Sequence, residues 1–259
     1  MVQPGAFLLD LDGTLYTDQG AVPGGPELLA LLRHRAIPFR AVTNTTTRSR
    51  ARLVERLAGF GYQLAPDEIM TPLLAAATLC RSLGLRRVVA YAPEAAWEDL
   101  EGLEVASCGK GGPTPEAIIV GDLGREWSFD LLQEAFTSLL AGADLIALSR
   151  DRYFLKEGVL TLDAGPFVVA LEHASGKTAR VVGKPSLEFY QAAIASLGQP
   201  PDRVAMVGDD LWSDVEGAQR AGLQGWLVRT GKFREETLRN SEIQPDRLLD
   251  SVAQIYTAA

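Results

Sequence analysis

The stretch Phe7-Leu8-Leu9-Asp10-Leu11-Asp12-Gly13-Thr14-Leu15 decides how the rest of the chain is read. A short apolar run that stops at a turn signal fits a strand buried on both faces. Its two aspartates stand at the C-terminal end, where open α/β sheets place their ligands. Alternation along a continuing strand would point Asp10 and Asp12 the same way. Two carboxylates brought that close repel, and burying them unpaired is costly. A divalent cation removes the cost. The plainer alternative is a strand-ending Asx turn, since Asp and Gly are common turn residues.

Working outward, the run is followed by a turn at Pro23 to Pro26 and a leucine-rich helix over Glu27 to Arg35. Pro38 to Val42 reads as a strand that ends in Thr43-Asn44-Thr45-Thr46. Residues 48–60 form an amphipathic pattern closed by Gly59 and Gly61, and Pro66-Asp67 opens a short helix. Strand, helix, strand, helix implies a parallel sheet with right-handed crossovers.

The alternation restarts near Thr71-Pro72. Helices are expected at Leu73 to Leu83, Phe129 to Leu140 and Pro166 to Ala174, and strands at Arg87 to Tyr91, Val105 to Cys108, Ala117 to Val120 and Leu145 to Leu148. The segment Gly109 to Pro115 is loop-like, and Tyr153 to Leu155 with Val159 to Thr161 suggest a hairpin around Lys156-Glu157-Gly158. The expected organisation is α/β: a first domain of residues 1–71 and 178–259, with residues 72–177 inserted as a second α/β domain. The first domain resumes with strand Arg180 to Val182, then Gly183-Lys184-Pro185, a helix over Leu187 to Leu197 and the apolar strand Arg203 to Val207. That strand ends in Gly208-Asp209-Asp210-Leu211-Trp212-Ser213-Asp214. A helix to Ala221, a strand at Gly225 to Val228 and a closing helix around Pro245 to Ile255 complete the chain.

Composition narrows the classes of function. With 47% hydrophobic and 22% charged residues, the chain has the material for a globular core. A net charge of −8 argues against nucleic acid or an anionic membrane as partner, and an anionic substrate must be caught by local cations. Cys80 and Cys108 are too few for a disulfide framework or a thiolate cage. His34 and His173, the only histidines, fall in expected helices and leave almost no material for Ser-His-Asp or histidine-metal chemistry. No signal segment opens the sequence and no apolar run reaches 18 residues, so a cytoplasmic protein is expected.

Four strand ends thus carry polar residues: Asp10 with Asp12, Thr43 with Asn44, Lys184, and Asp209 with Asp214. In a parallel sheet these ends share one edge. Oxygen ligands without a nearby histidine suit Mg²⁺. The lysine is a compact cation for a phosphate oxygen, and the Thr43 hydroxyl and the amides after it can donate to others.

Asp-Leu-Asp-Gly-Thr-Leu, Thr-Asn, Gly-Lys-Pro and Gly-Asp-Asp-x-x-x-Asp, in that order, resemble the haloacid dehalogenase (HAD) superfamily of phosphatases. Thr43 to Thr46, Gly165-Pro166-Phe167, Val182 to Pro185 and Val228-Arg229-Thr230-Gly231-Lys232 bring the chain close to the branch of phospholysine/phosphohistidine/pyrophosphate phosphatases and 4-nitrophenylphosphatases. The resemblance implies a Rossmann-like HAD core with a parallel sheet and an inserted α/β cap domain. It implies Asp10 as the nucleophile that forms an aspartyl-phosphate, and Asp12 as the acid that protonates the leaving group and then activates water. Thr43, Asn44 and Thr45 would hold the phosphoryl group, and Lys184 would balance charge on it and on Asp10. Asp10, the backbone carbonyl of Asp12 and Asp209 would ligate Mg²⁺. Asp214, with Asp210 beside it, would hold the metal's waters.

Only 31 positions separate Asp12 from Thr43, whereas 141 separate Thr43 from Lys184, so the cap belongs to the second interval. A roofed site favours a small phosphorylated metabolite. A homodimer interface through the inserted segment is a lesser alternative, compatible with its role as a cap. Ser149-Arg150-Asp151-Arg152 stands where the family places a substrate loop; Arg150 or Arg152 either meets an anionic leaving group or is simply solvated. The expected activity is Mg²⁺-dependent hydrolysis of small phosphate esters. Alternatives on the same site are a phosphotransferase, a pyrophosphatase or a phosphoamino-acid phosphatase. A non-catalytic binding protein would have shed Asp10, Asp12 or Lys184, and all three are present.

Overall fold

A computed structural model describes residues 3–107, 113–156 and 159–256. The chain divides into two compact units: Met1–Thr43 with Ala51–Met70 and Lys184–Ala259, and Asn44–Arg50 with Thr71–Gly183.

The first unit is built on a six-stranded sheet in the order Arg247–Leu249, Gln224–Val228, Val204–Gly208, Ala6–Asp10, Phe39–Val42, Ile69–Met70. Every neighbouring pair is parallel. Ala6–Asp10 lies in the middle, buried at all five positions, which is why its sequence runs apolar without alternation. Its register pairs Leu9 with Val207 on one side and Asp10 with Val42 on the other. The aspartates and Thr43 therefore emerge at one edge. The core beneath combines Phe7, Leu9, Leu29, Leu53, Leu57 and Trp226, with the rings of Phe7 and Trp226 edge to face at 5.7 Å.

The second unit holds a five-stranded parallel sheet in the order Arg180–Val181, Asp144–Ala147, Ala117–Val120, Arg87–Tyr91, Glu104–Ser107. A separate antiparallel hairpin joins Tyr153–Lys156 to Val159–Leu162. Helices Pro72–Ser82, Phe129–Leu140 and Gly165–Ser175 follow the expected periodicity, two of them opened by Thr71 and Ser128 side chains that accept from Leu74 and Leu131 amides. The rings of Tyr91, Trp127 and Phe167 stack in its core at 5.3 and 4.6 Å. Buried Asp99 accepts from Arg50 Nε at 3.0 Å and from Thr71 Oγ1 at 2.7 Å, tying the two entering segments to this unit.

Several sequence expectations change. Arg180–Val181 pairs with Asp144–Ala147, so it is an edge strand of the second sheet, and the first unit resumes at Lys184 rather than 178. Asn44–Arg50 belongs to the second unit. The expected closing helix near Pro245 is instead strand Arg247–Leu249 followed by a short 3-10 turn, Val252–Ile255. Three residues paired beside Trp226, Leu227 and Val228 extend the sheet, and Leu249 is buried there. Ile69–Met70 and the small hairpin Tyr16–Thr17 with Gly20–Ala21 were not expected as strands. Cys108, residues 109–112 of the expected loop, and residues 157–158 of the expected hairpin lie outside the described residues. No described helix is long and apolar enough to cross a membrane.

Candidate active site

Three carboxylates from the first unit meet at its strand ends: Asp10 closes Ala6–Asp10, Asp209 follows Val204–Gly208, and Asp214 sits in the wide helical turn Leu211–Glu216. One oxygen from each lies within 4.8 Å of the others. All three are buried, at 5%, 3% and 1% exposure, and Lys184 is buried with them at 3%. Lys184 Nζ donates to Asp10 Oδ1 at 2.5 Å and to Asp214 Oδ1 at 2.7 Å. One buried ammonium against three buried carboxylates leaves two charges over, the charge of a divalent cation.

The electrostatics agree with that count. Burial, set against the pull of Lys184 and joined by repulsion from Asp214 and Asp209, pushes the Asp10 carboxyl well above the ordinary range. Burial and then Asp214 push Asp209 up to about 7. Burial alone would strip the proton from Lys184, yet Asp10 and Asp214 outweigh it and hold the ammonium charged. A hard cation with oxygen ligands would favour the ionised forms of Asp10 and Asp209, so the donor set fits such an ion.

Glycines allow this crowding. A Cβ on Gly208 would stand 2.1 Å from Asp214 Oδ2, and one on Gly13 or Gly231 would stand 2.0 Å from Asp209 Oδ2. Gly13 and Gly231 also have positive φ, +85° and +59°, which side chains resist. Thr230 Oγ1 donates to the Gly13 carbonyl at 2.5 Å, and the Lys232 amide donates to Asp209 Oδ2 at 2.6 Å. Asp214 Oδ2 accepts from the Asp210 amide at 3.1 Å, so both its oxygens are engaged. Gly208→Ala is expected to force Asp214 away from Lys184 at a cost of about 1–3 kcal/mol. Thermal unfolding followed by circular dichroism measures it; an unchanged Tm would mean the turn can yield.

The remaining sequence candidates take separate places. Asp12 is exposed and its carboxylate stands outside the three-carboxylate group. The strand ends at Asp10, and the Leu11 carbonyl turns the chain by accepting from the Leu15 and Tyr16 amides at 2.9 and 3.1 Å, which ends the alternation expected from the sequence. Thr43 is buried just past Phe39–Val42, its amide donating to the Met70 carbonyl at 3.2 Å. Asn44 and Thr45 are grouped with the second unit, where Thr46 Oγ1 accepts from the Asp122 amide at 3.2 Å. Asp210 caps its turn by accepting from the Trp212 and Ser213 amides, both at 3.0 Å. Arg150 is paired with Glu172 at 2.7 Å, and Arg152 lies over the Tyr153 ring.

Two residues near the cluster carried no assigned role in the sequence. Lys232, beside Asp210 at 3.3 Å, follows strand Gln224–Val228 and could have been found by the strand-end rule that picked out Lys184. Tyr16, between Leu15 and Thr17, offered no signal beyond core material.

A family model described as haloacid dehalogenase-like hydrolase matches residues 7–106, and a HAD-hydrolase-like model matches residues 181–255. Haloacid dehalogenase-like hydrolase domain-containing protein 2 of Bos taurus is 40% identical over 229 residues, covering 88% of this chain and 85% of its own. Phospholysine phosphohistidine inorganic pyrophosphate phosphatase of Homo sapiens is 34% identical over 254 residues, covering 95% and 91%. The structure of a p-nitrophenyl phosphatase from Archaeoglobus fulgidus superposes with a TM-score of 0.90 at 29% identity over 100% of both chains.

Proposed function

The chain belongs to the haloacid dehalogenase-like hydrolases, and from that premise we propose that it is a Mg²⁺-dependent phosphatase of small phosphorylated metabolites, working through an aspartyl-phosphate on Asp10. The observation that carries the reading is the buried charge imbalance: Asp10, Asp209 and Asp214 against Lys184, the one buried cation among the described residues. Asp10, Asp209 and the Asp12 carbonyl would hold the Mg²⁺, which when bound draws charge from a phosphoryl oxygen. Asp10 attacks phosphorus in line with the leaving group, which takes a proton from Asp12. Water then attacks the aspartyl-phosphate, gives its proton to Asp12, and releases phosphate and the Asp10 carboxylate. Thr43 and the Asn44 and Thr45 turn donate to the transferring group, and Lys184 neutralises it throughout.

A second reading keeps the machinery and changes the bond cleaved: a pyrophosphate or phosphoamino-acid hydrolase. It is favoured by the 34% identity to the phospholysine phosphohistidine inorganic pyrophosphate phosphatase over nearly the full chain. One panel separates the two, using phosphate monoesters, pyrophosphate, phospholysine and phosphohistidine, each with Mg²⁺ and with EDTA. The expected result is turnover of 4-nitrophenyl phosphate and at least one metabolite ester, lost with EDTA. Turnover of pyrophosphate or phosphoamino acids alone would favour the second reading, and no turnover of any would overturn both.

A further inference from the structure

One oxygen of the buried Asp209 carboxylate is closed in on several sides. A Cβ on either Gly13 or Gly231 would stand 2.0 Å from Asp209 Oδ2, so both glycine backbones lie against that oxygen. The Lys232 amide donates to the same oxygen at 2.6 Å, a short bond of the kind a charged acceptor makes. The turn that delivers this amide is itself anchored. Arg229, just past strand Gln224–Val228, donates its amide to the Leu249 carbonyl at 2.8 Å. The Phe233 amide closes the turn on the Thr230 carbonyl at 3.2 Å, and the Phe233 side chain packs against Leu211, Val215 and Leu227. Between these anchors the Thr230 hydroxyl donates to the Gly13 carbonyl at 2.5 Å, clasping the turn to the chain just past Asp12. The Lys232 side chain takes no part in the clasp: it is exposed, its ammonium 3.3 Å from Asp210.

We propose that Thr230 is a positioning residue for a divalent ion, acting through Gly13 and the Lys232 amide to fix which oxygen of Asp209 the ion meets. The inference rests on the proposal that Asp209 is a Mg²⁺ ligand. A carboxylate free to turn about its last bond offers either oxygen or both. Ca²⁺ accepts about six to eight oxygens in flexible arrangements and loses little by that freedom. Mg²⁺ demands near-octahedral geometry, so it gains most from a carboxylate that presents one oxygen in one direction. With Oδ2 taken by the amide and walled by two glycines, Asp209 is left with Oδ1 to offer. Losing the Thr230 hydroxyl would let the turn lift from Gly13, carry the Lys232 amide off Oδ2 and free the carboxylate to rotate. Groups that orient a metal ligand in this way are worth about ten- to hundredfold in metal affinity.

Thr230→Val removes the hydroxyl and keeps the branched shape, whereas Thr230→Ser keeps the hydroxyl. Both, with Lys232→Ala, Asp209→Asn and wild type, are stripped with EDTA and titrated with Mg²⁺ and with Ca²⁺ by calorimetry. For Thr230→Val the expected result is a Mg²⁺ Kd raised about tenfold and a Ca²⁺ Kd raised less than about threefold. Thr230→Ser should stay within about twofold of wild type for both ions, since the bond to Gly13 is kept. Lys232→Ala keeps the amide and sheds a positive charge, so it should bind Mg²⁺ no more weakly than wild type; this arm tests the amide whatever Thr230→Val does to folding. A purely structural role for Thr230 would lower the Tm in EDTA and leave the ratio of the two Kd values where it was. An unchanged ratio in Thr230→Val, whether both values hold or both rise together, would overturn the inference. So would a tenfold loss of Mg²⁺ binding in Lys232→Ala, which would place the effect in the ammonium. Either result, beside an Asp209→Asn that loses Mg²⁺, leaves Asp209 standing as a ligand. An Asp209→Asn that binds Mg²⁺ like wild type would overturn that reading, and the inference with it.

Discussion

Asp10→Asn should fold as well as wild type and lose turnover by a factor on the order of 10⁵ or more, the scale of removing a nucleophile. An amide neither attacks phosphorus usefully nor ligates a hard cation. The fold should survive for a reason visible in the site. Burial and two neighbouring carboxylates already push the Asp10 pKa up, so the ionised group is a burden on the folded state, present at neutral pH and relieved by protonation. The neutral amide removes that burden, and Lys184 keeps Asp214 at 2.7 Å. The Tm without metal should therefore be equal to or above wild type, while Mg²⁺ should raise it less than it raises wild type. Calorimetric unfolding with and without Mg²⁺, beside a phosphatase assay, measures all three. Residual activity above about one part in a thousand would move the nucleophile elsewhere.

Lys184→Ala carries the second large effect, on stability and on rate together. The ammonium lies between Asp10 at 2.5 Å and Asp214 at 2.7 Å, and both carboxylates are buried. Breaking a buried pair by removing one partner costs about 3–5 kcal/mol. The folded pKa of Lys184 lies above its ordinary 10.5, so its contribution is complete below that pH and is lost only as pH rises through the higher folded value. At pH 7 the whole penalty is therefore on display. The kcat should fall about 10²-fold or more, comparable to deleting one preorganised donor to a developing oxyanion. Vanadate, a mimic of the transferring phosphoryl group, should bind more weakly. Lys184→Arg should rescue little, because a planar guanidinium does not fit a site shaped for a point charge between two carboxylates. Near wild-type kinetics in the alanine variant would remove the lysine from the mechanism.

The amino-acid sequence by itself determined the parts whose signal is local. Phe7 to Asp10 and Val204 to Gly208 are apolar runs because both faces of a central parallel strand are covered, and that burial shows in the residues themselves. The polar residues after those runs named Asp10, Asp209 and Asp214, since a parallel sheet brings strand ends to one edge whatever the helices between them do. Lys184 was picked out by the same rule although the strand before it, Arg180–Val181, belongs to the second sheet. Tertiary structure decided what depends on a distant partner. Arg180–Val181 is too short to carry a period, and only its pairing with Asp144–Ala147 assigns it to the second sheet. Arg247–Leu249 is a strand because Trp226 to Val228 offer it a free edge, a fact absent from its own three residues. Asp12 left the strand's alternation because one carbonyl, Leu11, gathers the amides of the following turn. The Lys232 amide reaches Asp209 through chain folding alone, and a hydrogen bond set by the approach of separate loops leaves no periodicity in sequence.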